Sequence, residues 1–224
     1  INGDLSGGLW DAVQQLNDDA GLTAAVLTGA GKGFCSGMDL KAFARGEDIG
    51  PMMEFVKNGA EKPLIGAIEG FALAGGLELA LSCDLLVAAK GAKLGIPEVK
   101  VGLFAAAGGL LRLPSRVGYG RAMEMAVTGD PITADDGAQS GLIARLSEPG
   151  EAVADALQRA ERVARNAPLA VAASQQLIRA TQGATEDEFW ASQRPFEASV
   201  FTSEDAKEGP KAFAEKRDPN WTGS

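Results

Sequence analysis

The chain has 224 residues, 46% of them hydrophobic, enough for one large buried core or two small ones. With 30 acidic residues against 21 basic and a formal charge of -9 it carries no chain-wide basic surface, no apolar run reaches bilayer length, and no leader-like segment opens it; neither nucleic acid nor a membrane is expected as a partner, and a cytoplasmic location is. The absence of any His excludes Ser-His-Asp and Cys-His nucleophilic sites and every His-ligated metal, so acid-base chemistry has to come from carboxylates, Lys, Tyr or backbone.

In chain order, Ile1-Asn2-Gly3-Asp4 is not an initiator sequence, and further residues are expected upstream. Trp10, Val13 and Leu16 are spaced as the apolar stripe of a short helix, and Thr23 to Thr28 reads as a buried strand closed by Gly29-Ala30-Gly31. Gly33 to Leu40, GFCSGMDL, is a small-residue turn feeding a helix over 39–45, with Asp39 as its cap. Residues 46–62 mix Gly, Pro and charges and read as a mobile flap. Pro63 to Glu69 is an apolar run leading through Gly70 into Ala74-Gly75-Gly76, after which Leu77, Leu79, Ala80 and Leu81 read as a buried helix.

Leu85 to Ala89 is the next strand, Gly95-Ile96-Pro97-Glu98 a loop, and Gly102 to Gly109, GLFAAAGG, a small-residue run suited either to a ligand or to a neighbouring helix. Arg121 to Val127 reads as helix, Thr133 to Asp136 as a capping box, and Gly141 to Leu146 as a strand. Strand and helix signals alternate up to this point, which argues α/β. From Glu151 onward only helices are predicted, over 151–165, 169–181, 186–202 and 204–216, with breaks at Pro168 and Gly183. The expected organisation is an α/β core over 1–147 followed by a helical region over 148–224.

Four positions stand out chemically. The glycines at 75 and 76 open a helix whose first N–H groups have no intrahelical partner, and a backbone without side chains admits another molecule. The Met38 N–H lies in a comparable turn and is a second candidate oxyanion donor. Glu78 is an acid inside an otherwise apolar helix, which suits either the helix dipole or catalysis. Glu98 follows Pro97 and is a helix-start Glu or a second reactive carboxylate. Cys35 and Cys83 have no metal or disulfide spacing; Cys83 reads as core filling.

Five segments in this order, GKGFCSGMDL, GFALAGGLELALSCDLLVAA, IPEVKVGL, AMEMAVTGDPITADDGAQSGL and SEDAKEGPKAFAEKRDP, resemble the enoyl-CoA hydratase/isomerase (crotonase) superfamily. The resemblance covers essentially the whole chain. It implies a crotonase-like spiral of β-β-α units with a helical C-terminal trimerisation region, acting on an acyl-CoA thioester as a homotrimer or dimer of trimers, with no cofactor besides the CoA of the substrate and no metal. It assigns the oxyanion hole to the N–H groups of Met38 and Gly75 and the hydratase carboxylates to Glu78 and Glu98. It also implies CoA contacts from Lys41, three residues past Met38, and from Lys216 near the C-terminus. The implied activity is hydration of a 2-enoyl-CoA, with double-bond isomerisation, a carnitine-type (crotonobetainyl-CoA) hydration or silent acyl-CoA binding as alternatives. The run Phe104 to Gly109 lacks the Pro-Gly pair common in fatty-acid hydratases, which leaves the acyl group open.

Overall fold

The computed structural model describes all 224 residues. Helix α1 (Gly3–Asp18) is capped by Asn2, whose side chain accepts from the Leu5 N–H, and it buries Val13 and Leu16. Strand β1 (Ala25–Thr28) starts two residues later than its apolar run. Helix α2 (Leu40–Ala44) takes its cap from Asp39, which accepts from the Lys41 and Ala42 N–H groups. The segment expected to be a mobile flap instead folds as α3 (Gly50–Asn58). It buries Met52, Phe55 and Val56, and Met52 N–H donates to the buried Ser6 hydroxyl of α1 (3.0 Å). The charges at Glu54 and Lys57 mark only its wet side.

Next come β2 (Leu64–Ile68), β3 (Phe71–Leu73), α4 (Gly75–Leu81), β4 (Leu85–Ala89), β5 (Lys93–Gly95), a 3-10 turn (Pro97–Val101), α5 (Gly109–Val117) and α6 (Tyr119–Thr128). They are followed by β6 (Ile132–Thr133), α7 (Ala134–Ser140) and β7 (Arg145–Ser147). The strand expected over 141–146 is thus shorter and later, because Gly141 adopts φ +89 and ends α7. The chain closes with α8 (Ala152–Ala164), α9 (Pro168–Ala180), α10 (Glu186–Phe201) and α11 (Glu204–Glu215). No helix is long and apolar enough to cross a membrane.

Two sheets share the work. One is parallel, in the order β1-β2-β4-β7, and the other joins β3, β5 and β6. Every residue of β2 is buried, as befits the centre of a parallel sheet covered on both faces. The chain steps from the first sheet to the second at Gly70 (φ +56) and again at Gly91 (φ +74), a left-handed conformation that favours glycine. Each step is followed by a short strand and then a helix, which produces the repeated β-β-α turn of the spiral. Helix α8 seals the outer face of the parallel sheet, where Ala152 and Ala156 pack on Ile65, Ala67 and Val87. Against this, α10 buries no residue at all.

Candidate active site

The two candidate oxyanion turns lie side by side because Cys35 bridges Ala72 in parallel. Leu73 N–H donates to Cys35 O (2.9 Å) and Phe34 N–H to Phe71 O (2.8 Å), so the turn after Cys35 runs beside the one after Leu73. A Cβ on Gly37 would sit 3.3 Å from Gly75 N, and a Cβ on Gly75 would sit 4.0 Å from Met38 N. Ile1 brackets the first turn, its nitrogen donating to Gly37 O (2.6 Å) and its carbonyl accepting from Asp39 N–H (2.8 Å). Ala74 holds φ +52 and ψ -134 without being glycine, a strained backbone of the kind found where geometry is imposed from outside. It is imposed here by Ala74 N–H donating to Gly95 O (2.9 Å). Gly75 then starts α4, where its N–H has no partner in the helix, and no hydrogen bond within the chain uses the Met38 N–H.

Glu78 is only 3% exposed. Its Oε1 accepts two hydrogen bonds from the loop entering α5, Ala107 N–H at 2.7 Å and Gly109 N–H at 2.9 Å. Residues 102–109 therefore form a cradle for a carboxylate, and their small side chains have a reason: a Cβ on Gly109 would meet Glu78 Cγ and Oε1 at 3.1 Å. Burial pushes the Glu78 carboxyl above its ordinary range, while the two N–H groups and the Arg112 charge pull it back without cancelling that effect.

Glu98 stands in the 3-10 turn behind Pro97, and its Oε2 is buried with no hydrogen-bond partner. Burial raises its carboxyl too; its own backbone N–H pulls it back in part, and the negative charge of Glu78 raises it further. Two carboxyls near enough to feel each other resist ionising together.

A family profile described as enoyl-CoA hydratase/isomerase matches residues 1–224. The chain belongs to the enoyl-CoA hydratase/isomerase family. Among solved structures of this family, the chain is similar to an enoyl-CoA hydratase from Mycobacterium tuberculosis, at 52% identity and a TM-score of 0.96 over all of this chain and 90% of that one. An enoyl-CoA hydratase from Mycobacterium marinum gives 50% and 0.95 with the same coverage. Among curated relatives, the carnitinyl-CoA dehydratase of Salmonella arizonae is 39% identical over all of this chain and 90% of its own length, and that of Proteus mirabilis is 37% identical with the same coverage. The spiral of the crotonase fold and the enzymatic character of the family apply to this chain.

The remaining sequence candidates lie apart from the carboxylates. Lys41 is exposed in the first turn of α2. Lys216 is exposed and ends α11 in the left-handed region at φ +53. Its neighbour Arg217 is committed to Glu208, with bonds of 2.6 and 3.0 Å, and to Glu215 at 2.6 Å. Cys83 is buried, with its thiol pushed up to about 12, and is inert filling. Sequence reasoning missed Ala107 and Gly109 as donors and Arg112 altogether; the small-residue run of 102–109 was the one signal that pointed there.

A cavity of about 1140 Å³ runs between α4, α5 and α9 and touches neither glutamate. A smaller apolar pocket of about 420 Å³ lies behind the 3-10 turn, lined by Ile96, Val99, Phe104, Ala105, Leu110 and residues of α5 and α6.

Proposed function

We propose that this chain is a 2-enoyl-CoA hydratase. The observation that carries the reading is the pair of carboxyls with unlike surroundings, Glu78 held by two N–H groups of a distant loop and Glu98 with a buried Oε2 that has no partner, beside two turns with unengaged N–H groups.

In this reading the thioester carbonyl oxygen sits between Met38 N–H and Gly75 N–H. Ionised Glu78 takes a proton from water, the resulting hydroxide attacks the β-carbon, and the π electrons move through the α-carbon onto the carbonyl oxygen. Each preorganised donor stabilises that enolate-like charge by about 3 kcal/mol. Collapse of the enolate takes a proton from Glu98 at the α-carbon. Glu78 then carries the proton and Glu98 the charge, and exchange with solvent restores the starting pair. Lys41 and Lys216 meet the CoA phosphates, local cations that oppose the chain's net negative field. The exposed aromatics of the C-terminal helices, Phe201 at 79% and Phe213 at 87%, support a homotrimer in which a partner covers them.

Carnitine-type hydration is the second reading. It is favoured by the carnitinyl-CoA dehydratases among the curated relatives, whose named reaction is the same water chemistry run in reverse. Loss of enoyl-thioester absorbance on mixing with crotonyl-CoA tests the main proposal. An isomerase or a silent binder leaves that signal unchanged, and a carnitine-type enzyme prefers a substrate bearing a quaternary ammonium over an aliphatic one.

A further inference from the structure

Arg112 lies on α5 four residues after Gly108 and belongs to no ion pair with either glutamate. Its Nη2 donates to Val56 O near the end of α3 (2.5 Å). Its Nη1 is buried without a hydrogen-bond partner and lies so close to Gly108 that a Cβ there would collide with it. Its own N–H donates to Gly108 O (3.0 Å). Gly108, at φ +90, is the residue between Ala107 and Gly109, the two donors to Glu78. The guanidinium therefore packs against the middle of the cradle while its one hydrogen bond reaches α3.

Stability alone is a poor reason for this placement. Burial works against the Arg112 charge, Arg116 on the same helix and Arg179 from α9 both repel it, and Glu78 is the nearby charge that favours it. A buried cation set among other cations is costly unless its field is used. The charge acting on Glu78 is Arg112 from α5, which favours its ionised form, and Glu78 in turn raises Glu98 in the 3-10 turn.

We propose that Arg112 is a positioning residue for Glu78: the guanidinium, packed on Gly108 and bonded to Val56 O, backs the cradle so that Ala107 N–H and Gly109 N–H stay aimed at Oε1, and its charge favours the ionised form of that carboxylate. The inference rests on Glu78 acting as the base. Arg112 touches no reacting atom and acts only through the cradle.

The test uses the full chain with R112M, R112K and E78Q. The pH profile of kcat/KM on crotonyl-CoA is read beside a direct titration of the Glu78 carboxyl by carbon-13 NMR, assigned by its absence in E78Q. R112M is expected to move the acid limb and the Glu78 titration upward together by on the order of one pH unit, with KM for acyl-CoA changed less than about twofold, since ground-state binding is untouched. R112K keeps the charge but not the planar fork, so its loosened cradle still moves the Glu78 titration upward, by less than in R112M, while kcat falls roughly tenfold. A Glu78 titration in R112M at the wild-type position, or a wild-type kcat in R112K, overturns the proposal whatever happens to stability. Should the base assignment itself be wrong, E78Q retains turnover, an outcome separable from both.

Discussion

Glu78 and Glu98 are the same residue type facing one site, and their surroundings differ in nearly every respect. Glu78 grows from a regular helix, is nearly sealed from solvent, and has its charge spread over two backbone donors brought from 29 and 31 residues away. Glu98 grows from a tight 3-10 turn, is half-buried, and offers an oxygen with no donor to stabilise it when ionised. Burial raises both, so burial cannot be what separates them. Hydrogen bonding to the charged form differs between them: Glu78 accepts from two N–H groups of a distant loop and Glu98 is helped only by its own backbone, which suits Glu78 to the role of base.

Replacing either carboxyl is the most severe way to break that comparison. E78Q and E98Q should each lower kcat by about 10²- to 10⁴-fold with acyl-CoA binding nearly intact, and steady-state kinetics with a binding isotherm separates the two. Wild-type turnover in either variant removes that residue from the mechanism. The surviving pH limb sharpens the contrast. In the proposed mechanism the acid limb of kcat/KM reports Glu78 and the alkaline limb Glu98, so a conservative E98D variant should shift only the alkaline side.

An intermediate effect comes from the cradle. G109A places a Cβ 3.1 Å from Glu78 Oε1 and pushes the N–H donor away. Loss of one such donor should cost kcat about tenfold or more, with the Glu98 limb unmoved. Movement of both limbs would mean that the two carboxyls share one environment.

Stability gives a smaller signal of known sign. A carboxyl raised above its free value of 4.5 holds its proton longer in the folded chain than in the unfolded one. The folded state is therefore increasingly penalised as pH climbs from 4.5 through the raised value. E98Q removes that penalty: its melting temperature should exceed the parent's by roughly a few degrees near neutral pH and converge with it below pH 4.5. A parent more stable than E98Q at neutral pH would contradict the raised carboxyl.

The smallest changes are expected at the cations. K41A and K216A should raise KM for acyl-CoA severalfold at low salt, by about 1 kcal/mol or less for exposed charges, with little change in kcat. The deficit should shrink as salt screens it. An equal defect on a pantetheine thioester, which lacks the nucleotide phosphates, would exclude the phosphate contact.

Much of the site was legible one residue at a time. An acid flanked by Leu77, Leu79, Ala80 and Leu81 is conspicuous on a helix, and a Pro followed by Glu98 announces a turn. The Asp39 cap and the Thr133–Asp136 capping box both formed as local spacing required, because each involves atoms within three residues. The flap over 46–62 was misread because its charges dominate the composition, while Met52, Phe55 and Val56 bury one side only after α1 is in place. Strands β5 and β6 have three and two residues, too few for any periodicity to register.

What the sequence by itself determined was the alternation of strand and helix, the absence of imidazole chemistry, and the residue types available as acid, base and backbone donor. These depend on composition and on contacts within a helical turn. The tertiary structure decided which carboxyl is solvated by N–H groups, which is left bare, and what stands behind the cradle. Ala107, Gly109 and Arg112 reach Glu78 only because the spiral folds a loop thirty residues downstream against α4. A pKa is set by that three-dimensional company of charges and donors, which sequence proximity does not reveal.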